Sequence, residues 1–298
     1  MDQIGVLSHA LTGYQFSAVY NMLSLGIASM VFTSIFLWVA RDRVLPRYRM
    51  AVMVSATVTS IAAYHYFRMF DSFSHGYGMN DSTNGLVAKV TGAMTEAGAD
   101  PAAIAAAVET AALNFGAANY NVGYRYIDWF LTVPLLLVEV VAVLGLAKQI
   151  QSSLLKRLVP AAALMIILGY PGDIKLDWMG IAPSVWGLLS TLPFLYILYV
   201  LWVELSKSLA SQSEKVRRMF LGLRLLLIAT WGVYPITFIL AMGTPAGQAP
   251  TAAEVVSREI GYSVADILAK CLFGLMIFAI ARIKSAEDDK AFAAQEGH

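Results

Sequence analysis

The sequence predicts an all-helical membrane protein, a bundle of seven transmembrane helices with its N-terminus outside the cell and its C-terminus in the cytoplasm. Three observations carry that prediction. Of 298 residues, 58% are hydrophobic and only 14% are charged, against about 45–50% hydrophobic in soluble domains, and the mean hydropathy is +0.64. Seven apolar runs reach the roughly 20 residues needed to cross a hydrocarbon core of about 30 Å. The basic residues between these runs fall on alternate loops, as expected where Lys and Arg are retained on the cytoplasmic side. Lys+Arg of 21 against Asp+Glu of 20 leaves a formal net charge of +1, so there is no basic excess to hold a phosphate backbone and no nucleic-acid partner is expected. One cysteine, Cys271, can form neither an intrachain disulfide nor a multi-cysteine metal site, and no metal is expected.

Taken in order, the spans are read as 15–39, 50–70, 122–146, 157–173, 182–205, 218–242 and 256–282. The stretch Met1–Tyr14 lacks the basic and apolar regions of a secretory signal and reads as a polar lead-in. The first loop carries Arg41, Arg43, Arg47 and Arg49, the third Lys148, Lys156 and Arg157, and the fifth Lys207, Lys215, Arg217 and Arg218, while the last span exits into Arg282 and Lys284. The opposite side has only Arg68, Lys89, Lys175 and Arg258. The odd-numbered spans therefore run inward. The fourth span is short and ends at Tyr170-Pro171-Gly172, which predicts a compressed or tilted helix. Residues 71–121 form an extracellular insertion between the second and third spans, too polar to cross and too long for a turn. Within it Asp100-Pro101 predicts a helix start, with Asp as cap and Pro at the first helical position, followed by an alanine-rich run to Ala112. Residues 1–286 form the bundle, and 287–298 form a polar, frayed cytoplasmic tail.

Charges inside a span cost about 2.5–3.5 kcal/mol each on insertion scales, so those retained are functional candidates. In the third span Arg125, Asp128, Thr132 and Glu139 fall near one helical face. The eleven residues from Asp128 to Glu139 make about three turns and about 16 Å of rise. One stripe thus carries two carboxylates at different depths, Asp128 toward the outside and Glu139 toward the cytoplasm. In the seventh span Asp266 and Lys270 are four residues apart and share a face. That pair reads either as a buried structural ion pair or as a desolvated lysine able to form a Schiff base with a carbonyl ligand, for which Asp128 and Asp266 would be the counter-ions.

These residues closely resemble microbial rhodopsins. The likeness spans all seven helices and rests on independent motifs: Arg125-Tyr126-Ile127-Asp128-Trp129 through Thr132-Val133-Pro134 to Glu139, then Trp231-Gly232-Val233-Tyr234-Pro235, and Asp266-Ile267-Leu268-Ala269-Lys270. Ser190-Thr191 and Leu195–Tyr199 add to it on the fifth span. Within the family the sequence is most similar to the xanthorhodopsin and proteorhodopsin branch. The resemblance implies that Lys270 binds all-trans retinal as a protonated Schiff base, with Asp128 as primary proton acceptor, Asp266 as second counter-ion and Glu139 as cytoplasmic proton donor. The triplet Asp128, Thr132, Glu139 is the pattern of outward proton pumps in this branch, and neither the chloride-pump nor the sodium-pump pattern fits. Glu139, set among Leu135–Val138, Val140 and Val141, is expected to wait protonated, and Asp128 near Arg125 to stay ionised. His65 stands where the branch places a histidine that bonds the acceptor.

The resemblance also places Trp129, Leu136, Met165, Gly169, Ser190, Trp231, Tyr234, Pro235 and Phe238 around the polyene. Leu136 is the choice associated with green absorption. Gly187 stands where many members carry a tryptophan, and so implies a window at which a carotenoid antenna can dock; close helix packing is the other reading of that glycine. The implied protein is a multi-pass light-driven proton transporter of the cell membrane rather than an enzyme. Its partners are lipid, protons and further copies of itself in a pentamer or trimer. A photosensory rhodopsin that signals to a partner protein is the alternative, and a chromophore-free transporter using Asp266 and Lys270 as an ion relay is a third reading.

Overall fold

The computed structural model describes residues 10–176, 180–240, 248 and 250–295, leaving aside the side chains at 204, 205, 208 and 295. His9 and His298 lie outside the described residues. Twelve α-helical segments are described: α1 Gly13–Ala40, α2 Pro46–Tyr77, α3 Asp81–Glu96, α4 Pro101–Asn119, α5 Gly123–Val143, α6 Lys148–Asp173, α7 Pro183–Tyr199, α8 Leu205–Leu209, α9 Glu214–Leu240, α10 Ala252–Asp266, α11 Phe273–Asp288 and α12 Lys290–Gln295. Two π-helical turns, Val200–Glu204 and Ile267–Leu272, join α7 to α8 and α10 to α11. Seven helical stretches are long and apolar enough to cross a membrane.

Local chemistry sets the helix starts. Thr12 and Gln15 form a reciprocal capping box on α1, as Thr251 and Glu254 do on α10, each satisfying two backbone N–H groups that the first turn leaves unpaired. Proline opens α2, α4 and α7, where its missing N–H costs nothing. Interior prolines at 134, 160, 171, 193 and 235 are carried within the spans, which neighbouring helices permit.

Successive spans pack side by side, and the last closes against the first and second. The seam between α7 and α9 is the loosest. Two apolar clusters hold the ring together. One joins Leu137, Val141, Leu158, Phe220 and Ile277 across α5, α6, α9 and α11. The other joins Val19, Phe73, Tyr77 and Leu113 across α1, α2 and α4. Outward-pointing apolar side chains such as Phe32, Leu188, Leu192 and Ile239 are 64–70% exposed, a surface suited to lipid rather than water.

The structure departs from the sequence reading in three places. The fourth span is not compressed: α6 runs 26 residues and passes through Pro171, because its polar first turns from Lys148 belong to the same helix. The insertion is a helical hairpin, of which the sequence reading gave only the second helix. Asp100 accepts from the Ala103 N–H at 2.9 Å and α4 follows as expected, while α3 is capped by Asn80 and Gly98 supplies the positive φ (+72°) of the turn between them. The tail expected to fray is helical through Asp288 and again over Lys290–Gln295. Its first part is anchored where Tyr48 Oη donates to Asp288 at 2.5 Å and the Leu45 N–H donates to Ser285 at 2.9 Å.

Candidate functional site

Lys270 lies in the π turn between α10 and α11, 1% exposed. Its Nζ donates to Asp128 Oδ2 at 2.5 Å and sits 2.9 Å from Asp266 Oδ1. Two carboxylates from different helices therefore converge on one buried amine. Their environments differ. Asp266 also accepts from Tyr66 Oη at 2.9 Å, Trp129 Nε1 at 3.0 Å and Tyr234 Oη at 2.6 Å, and Arg125 Nη1 stands 3.6 Å away. Four donors and a guanidinium make Asp266 a fully engaged anion. Asp128 has the lysine alone, and its Oδ1 is buried with no hydrogen-bond partner. Thr132 donates to the Asp128 backbone carbonyl at 2.7 Å rather than to its carboxylate.

Three turns along α5, Glu139 is fully buried. Ser55 of α2 donates to its Oε2, and its Oε1 has no partner. The surroundings are the apolar cluster that includes Leu136, Leu137, Val140 and Val143. His65 is not hydrogen-bonded to Asp128. Its Nδ1 and Asp128 Oδ1 are both buried and unpartnered, so the contact that the resemblance implied is not made here.

From Lys270 a cavity of about 380 Å³ extends between α5, α6, α7 and α9, within the roughly 300–1,000 Å³ of small-molecule sites. Every residue that the resemblance placed around a polyene lines it: Trp129, Leu136, Met165, Gly169, Gly187, Ser190, Trp231, Tyr234, Pro235 and Phe238. Val133, Ile166 and Phe194 join them. Trp129 meets the Tyr234 and Tyr262 rings edge-on, each at 5.0 Å, which fixes its indole as one wall. Ser190 is turned to the Met165 carbonyl at 2.8 Å. A Cβ on Gly187 would lie 2.6 Å from Phe238 Cε1, so this glycine is where α7 admits an α9 ring, and Phe238 covers it. An elongated apolar aldehyde fits the cavity and the amine together: apolar walls along its length, a single reactive nitrogen at the end, and carboxylates beside that nitrogen.

On the side of α5 away from Glu139 lies a polar layer that the sequence reading missed. Glu259 of α10 is 1% exposed and accepts from Arg125 at 2.6 Å, Tyr120 at 2.6 Å and Arg258 at 3.1 Å. Tyr120 comes from the end of the insertion, so that segment completes the layer as well as covering it. Asp173 and Tyr262 lie beside it. Glu259 had a signal in the sequence, seven residues or two turns before Asp266 on the same helical face. Asp173 was hidden by the turn signal of Pro171-Gly172.

A seven-helix membrane bundle with a buried lysine between two carboxylates, at the end of an aromatic cavity, is a protein built to hold a ligand by its amine. Residues 17–284 match the family model of bacteriorhodopsin-like proteins. The chain belongs to that family and is a multi-pass membrane protein. Membership implies a retinal chromophore. The chain is 28% identical over 255 residues to the green-light absorbing proteorhodopsin of Gamma-proteobacterium EBAC31A08, covering 85% of this chain and 82% of the relative. Among solved structures it is similar to xanthorhodopsin, described as a light-driven ion pump with dual chromophore, at TM-score 0.74 and 37% identity over 93% of this chain and 97% of the other. A thermophilic rhodopsin gives TM-score 0.74 and 38% identity over 93% and 98%.

Proposed function

We propose that the protein is a light-driven outward proton pump with all-trans retinal held on Lys270 Nζ. Bound retinal supplies light absorption and a light-driven change of shape beside that nitrogen. The observation that carries the reading is the placement of two buried carboxyls on one helix, Asp128 in contact with Nζ and Glu139 three turns to the other side. Asp128, with one oxygen free, is the group able to accept the Nζ proton. Asp266 keeps its charge under four donors and holds the positive site in place. Glu139 carries the replacement proton in apolar surroundings and returns it from the opposite side, with Ser55 donating to the anion that remains. The distribution of basic loops supports a cytoplasmic Glu139 end, and with that orientation a proton leaving through Asp128 travels outward.

The test is the pH of an unbuffered suspension of cells expressing the protein with retinal. Illumination is expected to acidify the medium, and a protonophore to abolish the change. A coloured protein with no pH change would reject the pump in favour of the sensory reading. Lys270→Ala is expected to give no visible absorption band with retinal, and a band that survives would remove Lys270 as the attachment point. For a carotenoid the controlling group is Phe238, which covers Gly187. Carotenoid bands in the retinal excitation spectrum should strengthen in Phe238→Ala if a second chromophore docks there.

A further inference from the structure

Of the buried carboxyl groups outward of Arg125, Glu259 and Asp173 are held in opposite ways. Glu259 has both oxygens occupied, by Arg125 and Tyr120 on Oε2 and by Arg258 on Oε1. A proton arriving there would displace guanidinium contacts and leave two buried arginines short of an anion. Asp173, at the end of α6, is 6% exposed. Its Oδ1 accepts one long bond from Tyr262 Oη at 3.4 Å, and its Oδ2 is buried with no partner. No lysine or arginine of a described residue forms an ion pair with it. The groups that face it are Tyr262, Arg258 and Glu259 from α10 and Tyr126 and Arg125 from α5, with Lys175 in its own turn and Glu254 beside that lysine.

We infer that Asp173 holds a proton at rest and is the group that releases it to the outside. The inference rests on the outward-pump reading and adds the release step to it. Charge balance gives the reason. Between Lys270 and the outer end of the layer, three cations (Lys270, Arg125, Arg258) face three anions (Asp128, Asp266, Glu259), and Lys175 has Glu254 beside it. A further buried carboxylate with no cation of its own would leave the cluster one charge negative, whereas a neutral Asp173 balances it. Transfer of the Nζ proton to Asp128 removes one charge of each sign and leaves the balance intact. The balance breaks only when Glu139 recharges Nζ while Asp128 still holds its proton, which makes the cluster one charge positive. Asp173 then gives up its proton from Oδ2, past Arg258, to the outside. Asp128 later passes its own proton to Asp173, which is neutral again; Glu139 takes a proton from the cytoplasm, and one proton has crossed.

Two measurements on purified protein carrying retinal test this. Infrared absorption in the dark is expected to show a protonated-carboxyl C=O band that is missing in Asp173→Asn and present in Glu259→Gln. A band unaffected by Asp173→Asn overturns the inference. In a single-flash experiment with a pH-indicator dye, the outward proton is expected to appear before the Asp128 carboxyl band decays. In Asp173→Asn it should appear together with that decay. The same order in both proteins overturns the release role. A wild-type protein that gives no proton signal at all sinks the pump reading and the release role with it, while the dark infrared result still decides whether Asp173 holds a proton. Asparagine keeps the shape and the Tyr262 contact, and an unchanged visible spectrum confirms that the variant folds.

Discussion

At the scale of single residues, the chemistry is decided by which carboxyl oxygens have donors. Among the described residues Asp266 has four donors and Asp128 has one, and on the proposed pump reading that difference separates a fixed counter-charge from a proton acceptor on either side of the same amine. Glu139 illustrates the same rule in an apolar setting, since among the described residues Ser55 is the one donor it has. On the proposed pump reading that hydroxyl stabilises the anion left when Glu139 gives up its proton, by about 1.5–3 kcal/mol for a bond to a charged group. Ser55→Ala is therefore expected to slow delivery about 10- to 150-fold, read as the rate at which the visible band recovers after a flash. Glu139→Gln removes the donor itself and should slow that recovery by at least about 10²-fold, the usual worth of a positioned acid or base. Equal recovery in wild type and Glu139→Gln would displace Glu139 from the path. Much of this site is legible in the sequence because helical spacing alone places Asp266 and Lys270, or Asp128 and Glu139, on shared faces. What spacing does not give is the partner from another helix. Ser55, Tyr66 and Tyr120 are ordinary span and loop residues until the fold brings them to Glu139, Asp266 and Glu259.

At the scale of elements, the bundle depends on a few close approaches that carry polar contacts with them. Gly26 of α1 lies against the Tyr66 ring of α2, in space that a Cβ would occupy, and Tyr66 in turn donates to Asp266. Gly26→Val should push that ring aside, cost about 1–3 kcal/mol through overpacking, and withdraw one of the four donors on Asp266. A lower Tm together with a shifted visible band is the expected signature. A lower Tm with an unmoved band would show that Tyr66 keeps its bond. By contrast, a Cβ on Gly232 meets nothing within 4 Å, and Gly232→Ala should stay within about 0.5 kcal/mol of wild type. The spans themselves were legible from hydropathy, but their ends were not, because polar turns such as that at Lys148 continue a helix past the lipid. The π turn at Lys270 left no mark in the sequence. It adds a residue to one turn and rotates everything after it by about 100°, a choice made by packing rather than by local composition.

For the whole molecule the proposed pump reading turns on direction, because under it the same carboxylates would move protons inward if the bundle were inserted the other way up. The fold fixes which features share a side. The α3–α4 hairpin and the Glu259 layer lie at the end of α5 nearer Asp128, while Arg47, Lys215 and the α11 terminus gather at the other. Lys and Arg concentrate at that second end, and retention of positive loops predicts that the hairpin lies outside. Accessible single cysteines make this measurable, since Cys271 is only 6% exposed and should contribute little background. Ala88→Cys on α3 and Lys215→Cys at the start of α9 both occupy exposed positions. A membrane-impermeant maleimide applied to intact cells is expected to label Ala88→Cys and to reach Lys215→Cys only after the cells are opened. The reverse pattern would invert the bundle. In that case Glu139 would face outward and Asp128 inward, so the same chain of proton holders would alkalinise the medium under light. Labelling and the sign of the light-induced pH change must therefore agree, and a disagreement between them would mean that the proton path does not follow the order of carboxyls along α5.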